Sequence, residues 1–299
     1  MTAGRVAKLL LIAGFLLIGS GVRTADAKKG CARYEVIESG ELPCEIKQEI
    51  VEVHNKYRQK VAKGLVKGQP RASNMREMYW DDELAKGAQD WANHCEFEHN
   101  LGHERKVARF DVGQNLGISR SIGRRDNEMR AEFSKHIKTW FDENEQFKFA
   151  PISGAGGTGH YTQVIWADTY LVGCGYVRYK EGATMSQFYV CNYGPAGNML
   201  MKQPYDVGKQ KCGNELVKSK TYLGLCAMRE PPSFQCSSKG KSARRLLSGR
   251  KKKSHASKKC KGSECFARRA MSTFETVEVN DTDSNLKKVY NLITINVFH

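Results

Sequence analysis

The sequence predicts an α+β fold in which helices come first and a short antiparallel sheet follows. Three segments between residues 45 and 141 repeat apolar residues every three or four positions, which is the spacing of one helix face. After residue 160 the chain becomes rich in β-branched and aromatic residues, as is typical of strands. A run of helices followed by a run of strands predicts a layered α+β domain.

The helices have limits that can be predicted from the sequence. The first is expected over Glu45–Lys63 and the second over Asp81–Cys95, where Asp81 or Asp82 can cap the first turn. A third helix is expected over Asn127–Phe141, where apolar residues again recur at helical spacing.

Three strands are expected after the helices, at residues 160–167, 171–180 and 186–193. The glycine-rich stretch Phe149–Gly159 is expected to be a loop, and the last two strands should form a hairpin that turns near Gly182. At the carboxyl end, apolar residues alternate within Val289–Phe298, as they would in one more strand.

The amino-terminal residues have the features of a secretory signal peptide. A basic start is followed by the apolar run Leu9–Ile18 and then by a small-x-small triplet that ends at Ala27. The apolar run is shorter than the roughly 20 residues that a membrane-spanning helix needs. We therefore expect residues 1–27 to be cleaved and the protein to be secreted and extracellular.

The cysteines and charges divide the exported chain. Ten cysteines in an oxidising compartment predict disulfides rather than free thiols. The net charge of the chain is +16. Most of this excess comes from residues 201–299, which contain 21 basic and 8 acidic residues. This change predicts an N-terminal extension at 28–43, a domain at 44–204 and a basic, cysteine-containing extension at 205–299 that is disulfide-pinned or partly disordered.

Two dense segments, Gly159–Thr169 and Tyr189–Met199, resemble the two signatures of the CAP superfamily (cysteine-rich secretory proteins, antigen 5 and pathogenesis-related 1 proteins). The resemblance runs from about Cys44 to Met201. Segments at 74–85, 95–99 and 112–116 most resemble the arthropod antigen 5 branch, which includes venom allergens and salivary proteins. The resemblance implies an α-β-α sandwich CAP domain, followed here by the Cys-containing, strongly basic C-terminal extension.

The resemblance also implies a central cleft with two histidines and two acids. By motif the histidines are His99 and His160, and one acid is Glu143. The second acid is replaced by Gln114, as is common in the antigen 5 branch, and the loss of a carboxylate weakens any acid–base mechanism. Two readings stay open: the histidines could bind Zn²⁺ weakly, or the four residues form a hydrogen-bonded cleft without metal. No cofactor is expected to be required.

Motifs of known hydrolases are absent from the sequence. His99 and His103 have the spacing of a metalloprotease helix, but no glutamate follows His99. There is no Gly-x-Ser-x-Gly elbow either. We therefore expect a non-enzymatic protein that acts in venom, saliva or another extracellular fluid by binding a ligand or host component.

Three alternatives to this function stay open. Some CAP proteins carry sterols or fatty acids, and Trp80, Trp91, Trp140 and Trp166 could line such a pocket, although aromatic residues at this spacing more often form the core. The other two are a weak metal-dependent hydrolase and an ion-channel-directed toxin. The C-terminal cysteines do not reproduce the ten-cysteine pattern of channel-regulating relatives.

The basic extension predicts a polyanionic partner. Lys239–Arg269 contains thirteen Lys and Arg, with Glu264 as its single acid. It should attract heparan sulfate or an anionic membrane, whereas export removes access to nucleic acid. We expect a monomer. Asn280 is the only N-glycosylation sequon.

Two disulfides are expected. Cys174 and Cys191 lie in neighbouring predicted strands, and a Cys44–Cys95 bond is implied by the antigen 5 relatives. Cys31 is then expected to join one of the five C-terminal cysteines. The pairing stays open for Cys31, Cys212, Cys226, Cys236, Cys260 and Cys265.

Overall fold

A computed structural model describes residues 30–123, 130–154, 156–232 and the backbone of 291–293. The predicted signal peptide, the basic stretch Lys239–Arg269 and the sequon at Asn280 lie outside these residues, as do Cys236, Cys260 and Cys265. Within the described part of the chain, no helix is both long and apolar enough to cross a bilayer.

The helices of the described chain are α1 (Cys44–Ala62), α2 (Asp82–Ala92), α3 (Gly102–Arg105), α4 (Phe133–Asp142) and α5 (Gly159–Val164). The first two predicted helices are confirmed. Asp81 caps α2, because its Oδ1 accepts a hydrogen bond from the Leu84 amide at 2.9 Å. The third helix begins later than predicted, since residues 130–132 are not helical and 127–129 lie outside the described residues.

The strands are β1 (Glu35–Ser39), β2 (Tyr79–Trp80), β3 (Gly113–Ile122), β4 (Leu171–Glu181), β5 (Thr184–Gly194), β6 (Leu216–Lys218), β7 (Cys226–Met228) and β8 (Asn291–Ile293). The main sheet has the order β1-β4-β5-β3-β8 with antiparallel neighbours, while β2 pairs in parallel with β4. The predicted β4–β5 hairpin is confirmed, and Gly182 in its turn has φ +59°. The sequence did not predict β3, which pairs with β5 along its full length.

The predicted strand at residues 160–167 is wrong, because α5 occupies most of it. All six residues of α5 are buried, so their aromatic and branched side chains reflect burial rather than a pleated strand. The carboxylate of Glu143 also accepts a hydrogen bond from the Tyr161 amide at 3.0 Å, which satisfies a donor in the first turn of the helix.

Helices cover both faces of the sheet and form the predicted α-β-α sandwich. Helices α1, α4 and α5 pack on one face, which includes Tyr176 and Tyr189. Helix α2 packs on the other face, against residues that alternate with these, such as Val177 and Phe188. The two hydrophobic cores therefore lie on either side of one sheet.

Two glycines let α2 lie directly on β4. A Cβ on Gly173 would be 2.1 Å from the Ala85 amide nitrogen, and one on Gly175 would be 2.3 Å from the Gln89 amide nitrogen. Gln89 then exchanges two side-chain hydrogen bonds with the backbone of Tyr176, at 2.9 and 3.0 Å. At these two positions the helix therefore contacts the backbone of the strand, while side chains fill the rest of the interface.

The disulfides confirm one predicted pair and correct another. Cys174 and Cys191 are bonded across β4 and β5, as expected. Cys95 bonds Cys31, so the predicted Cys44–Cys95 bond is wrong, and so is the expectation that Cys31 pairs with the C-terminal extension. The reason is topological: Cys44 begins α1 on one face of the sheet, whereas Cys95 follows α2 on the other. Cys44 is itself disulfide-bonded, to a different cysteine.

The first part of the C-terminal extension packs against the domain. Tyr205 and Leu225 are buried in the same core as α1 and α4. Cys226 bonds Cys212 and also pairs its backbone with the loop after α1, accepting from the Glu77 amide and donating to the Met75 carbonyl at 2.8 Å each. The boundary near residue 204 stays a prediction, but residues 205–232 contribute to the core.

Arg58 is a fully buried cation about one turn before the end of α1. Its guanidinium makes six hydrogen bonds of 2.8–3.2 Å to five backbone carbonyls, those of Arg76, Val164, Trp166, Ala167 and Thr169. Burial lowers the pKa of Arg58 to about 9, so the group keeps its charge at neutral pH. One side chain therefore joins α1 to the loop at residue 76 and to the segment that leaves α5.

We expect Arg58→Ala to lower the free energy of unfolding by at least about 3 kcal/mol, because five buried carbonyls lose their donor. Arg58→Lys should cost less, about 2 kcal/mol, since an ammonium keeps the charge but has only three donors. Chemical denaturation of the full chain measures both. The matched control is Lys56→Ala on the exposed side of α1, which should change stability by less than about 0.5 kcal/mol. An Arg58→Ala variant as stable as this control would contradict the role given to the guanidinium.

Candidate functional site

The four cleft residues predicted from the resemblance, which we call the tetrad, form two pairs. His99 and Gln114 are the first pair. His99 lies in the segment after α2, Gln114 is near the start of β3, and His99 Nδ1 is 2.8 Å from Gln114 Oε1. Since an amide oxygen can only accept, the proton of this bond lies on Nδ1. Gln114 Nε2 donates in turn to the side-chain oxygens of Asn100 at 3.1 Å and Asn192 at 3.0 Å. Gln114 therefore orients the His99 ring through a chain of amides.

His160 and Glu143 form the second half. His160 Nδ1 is 2.7 Å from Glu143 Oε1, and the other carboxylate oxygen accepts from the Tyr161 amide at 3.0 Å. His160 is 2% exposed, and its ring lies nearly parallel to that of Trp140 at a centroid distance of 6.0 Å. Both oxygens of Glu143 are thus engaged with α5, which fixes the position of the buried imidazole.

The two pairs meet through neighbouring residues of β3. Gln114 belongs to the first pair, and the next residue, Asn115, donates to the His160 carbonyl at 3.1 Å. A cleft of about 220 Å³ lies beside the first pair and is lined by His99 and Gln114, but not by Glu143 or His160. The structure therefore brings the four residues into two hydrogen-bonded pairs. The first pair borders the cleft, and the second joins the buried His160 to the half-buried Glu143.

The sequence analysis did not single out the other polar residues around the cleft. Gln163 accepts from the Gly197 amide at 3.0 Å and donates to the Thr169 hydroxyl at 3.2 Å. Asn198 accepts from the Thr162 hydroxyl at 2.6 Å, and both Asn198 and Arg105 line the cleft. The available signal was the presence of amide side chains inside segments that are otherwise apolar.

A buried histidine on α1 is linked to the same network. Asn115 donates to the Tyr193 hydroxyl oxygen at 3.4 Å, so the hydroxyl proton is directed at His54 Nε2, 2.9 Å away. His54 Nδ1 then donates to the Ile50 carbonyl at 2.7 Å. Burial lowers the pKa of His54 to about 4, so the ring is neutral at physiological pH.

The tryptophans are mainly core residues. Trp80, Trp140 and Trp166 are 4%, 0% and 3% exposed, respectively. Trp91 is partly exposed, and its indole nitrogen donates to the Glu98 carbonyl at 2.8 Å. Their burial agrees with the expectation that these aromatic residues fill the core.

The residues of the tetrad do not fit a zinc site with three protein ligands. Among the described residues there is no group of three or more His, Cys, Asp or Glu side chains that could hold a metal ion. A catalytic zinc site needs three protein ligands, and a structural site needs four. Weak binding of Zn²⁺ by His99 and His160 stays a prediction from the sequence.

Comparisons with known proteins agree with this fold. The profile described as "CAP: Cysteine-rich secretory protein family" matches residues 51–193. The "Cysteine-rich venom protein" of Tityus serrulatus is 41% identical over 196 residues, which are 63% of this chain and 48% of that protein, so the chain spans about half its length. The "Salivary antigen-5" of Triatoma infestans is 37% identical over 231 residues, covering 70% of this chain and 91% of that one. The solved structure of BmVAL-1 has a TM-score of 0.56 and 26% identity, covering 66% and 100%.

The buried histidines predict that the protein loses stability in acid. Burial lowers the pKa of His54 to about 4 and that of His136 to about 3, so both rings stay neutral when folded, whereas an unfolded histidine protonates near pH 6.5. Stability is therefore full above pH 6.5 and falls from pH 6.5 towards 4, by about 1.4 kcal/mol per pH unit for each histidine. Denaturation of the full chain at several pH values measures this slope.

We expect His54→Gln to reduce the dependence of unfolding free energy on pH by the contribution of one histidine, about 1.4 kcal/mol per pH unit. This difference does not depend on the contribution of the carboxylates, which is the same in both proteins. The matched control is His94→Gln, because His94 is exposed and should leave the slope unchanged. Equal slopes in the His54 variant and the wild-type protein would contradict a neutral buried imidazole.

We expect Gln114→Glu to bind Zn²⁺ about tenfold more tightly than the wild-type chain, because it gives His99 a carboxylate neighbour. Asn100 and Asn192 would have to turn their amide nitrogens towards this carboxylate. Calorimetry with zinc chloride on the full chain measures the affinity. His99→Ala in the same background should abolish the gain, and the remote, exposed Gln48→Glu should produce none. Equal affinities of Gln114→Glu and wild type would contradict a contribution of residue 114 to zinc binding, and a gain that survives His99→Ala would exclude His99 as a zinc ligand.

Proposed function

The chain belongs to the cysteine-rich secretory protein (CAP) family, and on this premise we propose that it acts outside the cell without catalysis, by binding an extracellular polyanion. The non-catalytic part of the proposal is supported by the hydrogen bonds of Glu143, which carries the single carboxylate of the tetrad. Both oxygens of Glu143 are bound to α5, and Glu143 does not line the cleft. The residue at the other acidic position, Gln114, cannot exchange a proton near neutral pH.

The cleft has the chemistry of a binding surface. Its lining offers amide, imidazole and guanidinium groups from residues such as Gln114, Gln163, His99 and Arg105. Most of these side chains are already held by neighbouring hydrogen bonds, and such preorganisation favours recognition because little conformational entropy is lost on binding. The venom and salivary proteins named above support an extracellular setting for this binding.

The polyanion is proposed from charge. The full chain carries a net charge of +16, and thirteen Lys and Arg of the extension lie within Lys239–Arg269. A cluster of this size attracts sulfated polysaccharide by long-range electrostatics that do not depend on a precise fit. The ligand would therefore be a flexible anionic chain, such as heparan sulfate, rather than a small molecule.

We expect replacement of the four residues Arg250–Lys253 by alanine to shift elution from a heparin column to clearly lower salt. The charges act at separations that salt screens, with a Debye length of about 8 Å at physiological ionic strength. Substitution is preferable to truncation near residue 204, because truncation would remove Tyr205 and Leu225 from the core. The control replaces four exposed lysines of the folded domain and so makes the same change in net charge: Lys56, Lys60, Lys63 and Lys86.

The control should elute close to the wild-type protein. If the two variants elute together, the interaction reports net charge alone and the proposed site in the extension is wrong. A hydrolytic activity of the full chain that disappears in His160→Ala would overturn the non-catalytic part separately.

A further inference from the structure

Three consecutive apolar side chains are exposed in the turn that follows the cleft residue Asn198. Met199 is 49%, Leu200 is 58% and Met201 is 80% exposed. The other exposed large apolar residues of the described chain stand singly along the sequence. Isolated exposed apolar residues are ordinary, whereas a contiguous group indicates an interaction surface. We call Met199–Met201 the apolar tip.

The backbone of the apolar tip is held firmly against the domain. The Ile152 amide donates to the Lys202 carbonyl at 2.9 Å, and the Met201 amide donates to the Ile152 carbonyl at 2.8 Å. The Lys202 amide also donates to the Met199 carbonyl at 3.1 Å, which closes the turn. The tip is thus an ordered projection, so little conformational entropy is lost when it docks.

The conformation of the turn keeps the apolar side chains away from the core. Asn198 and Met201 both have left-handed backbone angles, with φ of +55° and +62°. Asparagine tolerates this region, but a bulky residue such as methionine rarely adopts it. Asn198 is held there by its side chain, which donates to the Gly159 carbonyl at 2.9 Å and accepts from Thr162. The exposure of Met199, Leu200 and Met201 therefore follows from a turn whose conformation is fixed by hydrogen bonds.

The charges around the apolar tip are all positive along the two segments that form it. Neither residues 148–158 nor residues 195–205 contain an acidic residue, and each segment contains one lysine, Lys148 and Lys202. Both lysines are exposed. Lys202 Nζ lies 3.8 Å from the Met199 sulfur, so its ammonium group is directly beside the tip. An apolar projection with adjacent cations is complementary to the surface of an anionic bilayer.

We propose that the apolar tip docks on anionic phospholipid membranes, with Met199, Leu200 and Met201 in the acyl boundary and Lys202 at the level of the phosphates. Lys148 provides a second cation on the neighbouring loop, and long lysine side chains can reach headgroups from an apolar contact. Three side chains bury little area, so this contact is weak and reversible by itself. The basic stretch Lys239–Arg269 supplies the second attraction that stable membrane binding requires.

Co-sedimentation of the full chain with vesicles of phosphatidylcholine and phosphatidylserine (3:1) tests the proposal. In 1 M salt the Debye length falls to about 3 Å, which suppresses the contribution of the basic stretch and leaves the apolar contact. Under that condition we expect the triple variant Met199→Ser, Leu200→Ser, Met201→Gly to bind about tenfold more weakly than wild type, because apolar burial is lost. Glycine at 201 keeps the left-handed backbone available.

The matched control removes three exposed apolar side chains elsewhere on the domain, in the variant Leu65→Ser, Val217→Ser, Leu223→Ser. It should bind vesicles as wild type does. In 0.15 M salt, Lys148→Ala with Lys202→Ala should weaken binding about tenfold or more, since each lysine near an anionic surface contributes about 1 kcal/mol. Lys56→Ala with Lys86→Ala is the control for charge.

Equal vesicle binding by the triple variant and wild type would overturn the proposal, as would a wild-type chain that does not bind at 0.15 M salt. Sedimentation velocity tests the alternative that a second copy of this chain covers the tip. A wild-type dimer that becomes a monomer in the triple variant would show this and overturn the membrane proposal. Circular dichroism and melting check folding. If the triple variant is unfolded, the single variant Leu200→Ser replaces it in the vesicle assay at 1 M salt. We expect it to bind about threefold more weakly than wild type, because one apolar side chain is lost.

Discussion

The buried guanidinium of Arg58 is the interaction on which the arrangement of the site depends. It joins three parts of the chain that are far apart in sequence: α1, the loop at Arg76 and the segment that follows α5. Arginine suits this position because its planar fork presents five donors in fixed directions, which backbone carbonyls can satisfy without a carboxylate. The end of α5 is therefore positioned from α1, and His160 and Gln163 on that helix are placed with it.

The site itself is organised by amides more than by charges. Gln114 directs His99 and links it to Asn100 and Asn192, while Asn115 reaches the backbone of His160. A second carboxylate at residue 114 would add negative charge and a titratable group, whereas the amide adds two donors and stays neutral. Glutamine at this position gives a hydrogen-bonded scaffold where a second carboxylate would give half of an acid–base arrangement, and the non-catalytic function proposed above rests on this difference.

The elements that could be predicted from the sequence are the long ones. Helices α1 and α2 have clear apolar stripes, and β4 with β5 are long and rich in aromatic and branched residues, so their patterns are unambiguous. The prediction failed at helix α5 because a short segment that is buried on all sides shows no periodicity, and its strand propensity was then misleading. The two short strands that flank α1 and its loop carry too few residues for a pattern.

The site was predicted only as far as the family resemblance reached. It identified His99, Gln114, Glu143 and His160, but which of them border the cleft depends on how β3 is placed between α5 and the segment after α2. Strand β3 itself was hidden because polar residues, such as Asn115 and Ser121, are buried within it. The Cys31–Cys95 bond was missed for a related reason: it depends on which face of the sheet receives the chain before β1, which local sequence does not encode.

The contact of α2 with Gly173 and Gly175 sets how this side of the molecule can vary. In many helix–sheet interfaces, a larger or smaller side chain is accommodated when the two layers move apart or together. Here main-chain atoms of both layers are in close contact at Gly173 and Gly175, so the spacing at these positions depends less on the volume of neighbouring side chains. Variation should therefore concentrate on the outward residues of α2, such as Lys86 and Asp90, while the depth of the interface stays constant as the sequence diverges.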